Sequence, residues 1–183
     1  MKTLYIDTHF NDIHIILFDD LKILKEKHVI NEKQNSTFLV PSLKEVIDGQ
    51  EFDEIIVCNG PGSFTGVRLG VTVAKTLAYT LEKPIKVLSY FDIMAYSLDD
   101  KKHLLGISDG NGYFIGEYEN FQKTNEYYYV NNSEFNKLSN VETDVSINYE
   151  KVLLKSKELN PVNPHGVKPI YVKLIGVEYD KKN

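Results

Sequence analysis

The feature that most constrains the fold is the segment from Asn59 to Gly70, which reads N-G-P-G-S-F-T-G-V-R-L-G. An apolar run, residues 55–58, precedes it, and a largely apolar run, residues 71–81, follows it. This order predicts a buried strand, a tight glycine-proline turn and a helix that begins at Ser63. Glycines give the turn backbone freedom, and the Ser63 hydroxyl can cap the free N–H groups of the helix.

A strand, a glycine-rich turn and a helix can also form a phosphate-binding loop, because helix N-termini attract anions. The two common patterns for such loops, G-x-x-x-x-G-K-[ST] and G-x-G-x-x-G, both fail here. No lysine follows the glycines, and no acidic partner for a ribose is evident. We therefore interpret the junction as structural.

Composition limits the class of protein. The 183 residues, 42% apolar and 26% charged, suffice for one large or two small domains with a buried core. The net charge of −5 argues against autonomous nucleic-acid binding, which needs a concentrated basic face. The single cysteine, Cys58, excludes an internal disulfide and is expected to be buried in its strand. With neither a signal peptide nor a long apolar run, we expect a cytoplasmic protein without membrane contact.

Local patterns divide the chain into two units, residues 1–100 and residues 101–183. In the first unit, three hairpin-like strands precede alternating helices and strands, which predicts a mixed α/β sheet flanked by helices. In the second unit, the turn Asp109–Gly112 predicts a hairpin, and residues 127–130 and 145–149 are short strand candidates. The elements predicted in the first unit are strands 3–8, 13–18, 21–30, 54–59 and 85–89 and helices 36–47, 63–82 and 90–98.

The central segment resembles the signature of the TsaB (YeaZ) family, G-P-G-S-F-T-G-x-R-x-G. Residues 4–8 are similar to the family's opening I-D-T-S strand, with His9 where serine is usual. Residues 36–43, 84–89 and 169–173 resemble further family segments. The resemblance implies an actin-like ATPase (ribonuclease-H-like) fold, with one mixed-sheet domain and a smaller, reduced second subdomain.

The resemblance also implies a function. TsaB proteins are noncatalytic scaffold subunits that bind and activate TsaD, the enzyme that transfers threonylcarbamoyl to tRNA next to the anticodon. It further implies that TsaE joins the complex, that the chain alone is a homodimer, and that tRNA is reached only through the complex. No cofactor of its own is expected, and ATP or ADP at a complex interface stays open.

The sequence offers little catalytic chemistry. None of the five histidines pairs as H-x-x-x-H or H-E-x-x-H, so no metal site is predicted, and His9 and His14 receive no metal role. Ser63 is not in a G-x-S-x-G elbow, so no catalytic residue is predicted.

Three residues are candidates for contact with nucleotide or phosphate. Asp7 and Asp109 each end a strand, as the magnesium-binding carboxylates of actin-like ATPases do, and turn capping is their alternative role. Arg68 is either a solvated helical arginine or a fixed contact to a partner or to phosphate, which its bidentate fork suits.

The helix after the turn carries a ridge of small residues and more apolar surface than one sheet face needs. Such a ridge lets another helix approach closely, and the resemblance assigns it, with the preceding helix, to the TsaD interface and the homodimer. Packing within the monomer is the alternative. The residues predicted to form this partner interface are Phe38, Leu39, Leu43, Gly66, Val67, Gly70, Val71 and Ala74.

Two other functions remain as alternatives. The first is an active kinase or ATPase with the actin-like fold, which magnesium-nucleotide binding would reveal. The second is an RNA-binding module, which a salt-dependent tRNA shift would reveal.

Overall fold

A computed structural model describes residues 1–10, 12–30 and 35–173 of the chain. Its first sheet has five strands in the order β3-β2-β1-β4-β5. The strands β1, β2 and β3 pair antiparallel, whereas β1, β4 and β5 pair parallel. The strands are β1 Lys2–Asp7, β2 Ile13–Asp19, β3 Lys22–Val29, β4 Glu54–Cys58 and β5 Ile85–Leu88.

The second sheet is built from the hairpin that the turn at Asp109 predicts. Its order is β10-β6-β7-β8, with β9 also paired to β7. Only the β10–β6 pair is parallel, so this sheet is mixed as well. Its strands are β6 His103–Ser108, β7 Gly112–Glu119, β8 Gln122–Lys123, β9 Tyr128–Asn131 and β10 Val141–Glu142.

Helices cover both faces of the first sheet. On one face α1 and α2 bury Leu39, Val67 and Ala74 against strand residues such as Ile6. On the other face α3 and α5 enclose a second core around Tyr5 and Ile56, and α3 also packs on the second sheet. The helices are α1 Asn35–Ile47, α2 Phe64–Thr80, α3 Tyr90–Ser97, α4 Asn132–Phe135, α5 Tyr149–Ser156 and a 3-10 turn Pro164–Gly166.

The predicted α/β class with mixed sheets is confirmed, and one predicted element is wrong. Residues 145–149 form no strand, and α5 begins at Tyr149. The Asn148 side chain accepts a hydrogen bond from the Lys151 N–H and caps this helix. The helix buries Val152, Leu153 and Ser156, a short stripe that the polar surroundings conceal in the sequence. Residues 174–183 of the predicted second unit lie outside the described residues.

The last described segment, residues 162–173, runs beside α2 and is called the strap here. Val162 bridges to Ile85, and the Ile170 N–H donates to the Asn59 carbonyl at 2.8 Å. Lys75 donates to the carbonyl oxygens of His165 and Val167. The strap therefore closes the β5 side of α2. No helix among the described residues is long and apolar enough to cross a membrane.

An ion pair is buried between β4 and β5. The Lys86 Nζ lies 2.9 Å from a Glu54 carboxylate oxygen, and both side chains are 7% exposed. The Thr3 hydroxyl donates to the other Glu54 oxygen at 3.0 Å. With both charges paired and hydrogen-bonded, the pair is tolerated, whereas removal of one partner would leave a buried charge alone.

We predict that Lys86→Met lowers the free energy of unfolding by about 3–5 kcal/mol, because it leaves the Glu54 carboxylate buried without a counter-ion. Urea denaturation measures this change. The matched control is Lys25→Met, which removes the exposed 2.6 Å pair with Asp48. Solvent screens that pair, so we expect almost no effect. Equal losses in the two variants would contradict the argument.

Candidate functional site

The glycine-proline turn before α2, residues 60–63, is called the signature turn here. It packs directly on the loop after β1. Gly60 has φ +99°, a left-handed conformation that favours glycine. A Cβ at Gly62 would overlap the His9 carbonyl, so only glycine allows this approach of the two backbones. The Ser63 N–H donates to the same His9 carbonyl at 2.6 Å. The turn is thus held against the first strand by contacts that any larger residue would break.

The N-terminus of α2 is occupied by the chain itself. The Gly66 N–H donates to the Ser63 hydroxyl at 3.0 Å, which confirms the predicted cap. The Thr8 hydroxyl donates to the Gly66 carbonyl at 2.6 Å, and Gly66 and Gly70 both lie against Thr8. In phosphate-binding loops, the N–H groups at a helix N-terminus bind the phosphate. Here some of these N–H groups already have partners within the chain, which agrees with a structural role for the strand–turn–helix junction.

The structure places seven of the eight residues that were predicted to form the partner interface in the chain's own core. Of the eight, only Phe38 is exposed, at 38%. The others face the chain's own core because the loop after β1 and the sheet, rather than a second helix, meet the small-residue ridge. These side chains therefore pack within the monomer, which was the alternative to an interface. An interface on the outer surfaces of α1 and α2 stays a prediction. The seven buried residues are Leu39, Leu43, Gly66, Val67, Gly70, Val71 and Ala74.

The outer surface of α2 has two different flanks. Its 17 residues include only two charged ones, Arg68 and Lys75, and both contact the strap. The opposite flank has no charge and carries exposed threonines with half-buried Leu69 and Val73. We call this flank, which comprises Thr65, Leu69, Thr72, Val73 and Thr76, the threonine flank.

Arg68 is fixed between two aromatic rings. Its guanidinium carbon lies 3.5 Å from the centroid of the Phe64 ring and 5.5 Å from that of Tyr171. The Arg68 Nε donates to the Tyr171 hydroxyl at 2.6 Å. The Arg68 side chain is therefore exposed to solvent and is also held by defined contacts within the chain. A contact of Arg68 to a partner or phosphate stays a prediction.

Asp109 caps its own hairpin turn. One carboxylate oxygen accepts hydrogen bonds from the N–H groups of Asn111 and Gly112, each at 2.9 Å. The Tyr129 hydroxyl donates to the same oxygen, and the Lys173 ammonium lies 3.3 Å from the other. These contacts match the turn-capping alternative. Among the described residues, Asp7, Arg68 and Asp109 contact three different sets of partners, and a joint contact of the three to nucleotide stays a prediction.

Asp7 is the centre of a buried polar cluster at the end of β1. Its carboxylate accepts hydrogen bonds from the Tyr5 hydroxyl at 3.0 Å, from the His9 N–H at 2.9 Å and from the His9 ring at 2.7 Å. Burial disfavours the charged carboxylate, but the interactions with His9 outweigh it and lower the pKa of Asp7. Cys58 lies beside them, and burial together with the Asp7 charge raises the pKa of its thiol.

This grouping of Asp7, His9 and Cys58 was not predicted from the sequence. The available signal was that Asp7 and Cys58 each lie at the end of a run of apolar residues. In the structure these runs are the parallel neighbours β1 and β4, with Ile6 opposite Val57. The next residues along both strands, Asp7 and Cys58, are therefore neighbours. Ligand atoms of the three residues all lie within 4.8 Å of one another.

We predict that Gly70→Ala destabilises the isolated chain by about 1–3 kcal/mol, because its new Cβ would overlap the Thr8 hydroxyl. Thermal unfolding of the purified variant measures this. Gly166→Ala is the matched control, since a Cβ there meets no atom within 4 Å. In a Thr8→Ala background the cost should shrink, which would assign it to this contact. A Gly70→Ala chain as stable as wild type would refute the close packing.

Comparisons with known proteins agree on one family. The family model of TsaD, tRNA N6-adenosine threonylcarbamoyltransferase, matches residues 24–168. The TsaB protein of Bacillus subtilis (strain 168), named for tRNA threonylcarbamoyladenosine biosynthesis, is 35% identical over 100 residues, 52% of this chain and 44% of its own. TsaB of Buchnera aphidicola subsp. Acyrthosiphon pisum is 30% identical over 69 residues, 35% of this chain and 31% of its own. The chain thus spans less than half the length of these curated relatives.

Two solved structures from Pseudomonas aeruginosa share the fold. YeaZ superposes with a TM-score of 0.72 at 16% identity, covering 93% of this chain and 100% of YeaZ. A protein described as similar to peptidase YeaZ gives a TM-score of 0.75 at 16% identity, covering 94% and 99%. The resemblance found in the sequence is confirmed: the chain belongs to the TsaD family and, within it, to the TsaB (YeaZ) proteins.

Proposed function

We propose that this chain acts in the biosynthesis of threonylcarbamoyladenosine in tRNA, as a noncatalytic subunit that binds and activates TsaD. The names of its TsaB relatives and the TsaD family model support this pathway. The observation that carries the binding role is the uncharged threonine flank of α2. A helix with 17 residues and only two charges, both engaged by the strap, is unusual on a protein surface.

The proposed partner face combines the threonine flank with the exposed Phe38 of the neighbouring α1. The Phe38 side chain is 38% exposed. Interface centres are depleted of charge and enriched in aromatic and apolar side chains, which suits this combination. The buried glycines contribute indirectly, because they let α2 lie close to the sheet and so determine how far the proposed face stands from the sheet. We propose the same face for the homodimer, with TsaE and tRNA reached only through the TsaD complex.

A noncatalytic role is consistent with the occupied helix N-terminus and with the turn-capping contacts of Asp109. The alternative is an active kinase or ATPase that uses Asp7 for magnesium-bound phosphates. Asp7 already accepts three hydrogen bonds and lies beside the bulky His9 and Phe10, which narrow the space that a phosphate would need. The geometry therefore favours the scaffold over the kinase.

We predict that Thr76→Arg lowers the affinity for TsaD about ten- to a hundredfold, because it places a charge in the proposed interface. Each factor of ten corresponds to about 1.4 kcal/mol. Titration calorimetry with purified TsaD measures the change. The matched control is Thr124→Arg, an exposed threonine in the second unit, which should bind as wild type does. Unchanged affinity of a folded Thr76→Arg chain would exclude this face.

We also predict that the isolated chain neither modifies tRNA nor hydrolyses ATP, and that it raises the modification rate of TsaD when added to it. The measurement is threonylcarbamoyl transfer to unmodified tRNA with and without each protein, together with phosphate release from ATP. Phosphate release by the chain alone that disappears in Asp7→Ala would support the kinase alternative instead.

A further inference from the structure

The polar cluster at the ends of β1 and β4 has a composition that neither the signature turn nor the proposed partner face requires. It joins a carboxylate, an imidazole and a thiol, and the ligand atoms lie within 4.8 Å of one another. Ligands around a tetrahedral zinc ion, with bonds of about 2.0–2.3 Å, lie about 3.5 Å apart. To bind one ion, the Asp7–His9 pair, now 2.7 Å apart, would open slightly, and the other ligand spacings, none above 4.8 Å, need only small shifts.

The His9 imidazole is held in position but incompletely bonded. One ring nitrogen, Nδ1, lies 2.7 Å from the Asp7 carboxylate, and the ring stacks on Tyr90 with centroids 3.8 Å apart. The other nitrogen, Nε2, is buried and has no hydrogen-bond partner among the described residues. Because Nδ1 is the nitrogen that faces Asp7, an ion shared by Asp7 and His9 would bind Nδ1, and the ring proton would move to the unpartnered Nε2.

The route to the cluster suits a cation. A cavity of about 230 Å³ is lined by Asp7 and His9 together with Asp12, His14 and His28. His14 is committed to Glu26 at 2.6 Å and to the Tyr149 hydroxyl at 2.8 Å, so it belongs to the wall. The Asp12 carboxylate, 3.4 Å from the His28 ring, adds negative charge to this wall. A water ligand would reach the ion from the side of Asp7 and His9, because Cys58 does not line the cavity.

We propose that Asp7, His9 and Cys58 form a binding site for a zinc-type divalent metal ion, with water as the fourth ligand. Thiolate and imidazole favour zinc and cobalt over magnesium, which prefers oxygen ligands. On binding, the Cys58 S–H bond breaks, a sulfur–metal bond forms, and the proton leaves to solvent. This proposal does not rest on the proposed interaction with TsaD.

Cobalt titration of the tag-free, reduced and chelator-treated chain tests the proposal. Because Cys58 is the only cysteine, a thiolate-to-cobalt charge-transfer band can arise only from this site. We expect one cobalt ion per chain with that band, displacement of the cobalt by zinc, and a higher melting temperature with zinc. Magnesium should not displace the cobalt.

Variants assign the ligands. Cys58→Ser should abolish the band, and His9→Ala should weaken cobalt binding at least about tenfold, a typical loss for metal-site residues. His9→Gln serves as a second variant should the alanine chain fail to fold. The matched control is His165→Ala, an exposed histidine of the strap that should leave binding unchanged. Absence of cobalt binding, binding without the band, or wild-type affinity in the folded His9 variants would overturn the proposal.

Discussion

The close approach of α2 to the loop after β1 is the contact on which the rest of the structure depends. Glycine at positions 62, 66 and 70 lets the helix backbone lie on Thr8 and His9, and the Thr8 hydroxyl donates to the Gly66 carbonyl at 2.6 Å. This contact fixes the rotation of the helix about its axis. One side then enters the core with Val67 and Ala74, and the threonine flank is left outside.

The strap determines where charge lies on the outer surface of α2. It engages Arg68 through Tyr171 and Lys75 through two carbonyl oxygens, so both charges of the helix are held on the β5 side. A charged flank is thereby separated from an uncharged one on the same helix. Cations whose donors already bind a hydroxyl or carbonyl oxygens of the strap add little to a new interface, whereas an uncharged flank can be desolvated at small cost. This difference is why we place the partner face on the threonine flank.

The sequence predicted the order of strands and helices of the first sheet well, because apolar runs and the glycine-proline turn are local signals. It could not tell what meets the small-residue ridge at Gly66 and Gly70. Close packing on a sheet and close packing on a partner helix need the same glycines, and only the tertiary structure distinguishes them. Helix α5 was missed since its stripe of Val152, Leu153 and Ser156 is too short to show a period. The grouping of His9 with Cys58 was hidden because the two are distant in sequence.

The two proposed sites lie on opposite faces of the first sheet, and Thr8 connects them. Thr8 stands between Asp7 and His9 in the chain, and its hydroxyl holds α2. An ion bound by Asp7 and His9 would restrict the backbone on both sides of Thr8, and therefore the position at which α2 rests. A ligand can change an equilibrium only through different affinity for two states. Metal binding would therefore change TsaD affinity only if α2 occupies more than one position in the absence of the ion. If Thr8 already fixes α2 in one position, the two sites are energetically independent.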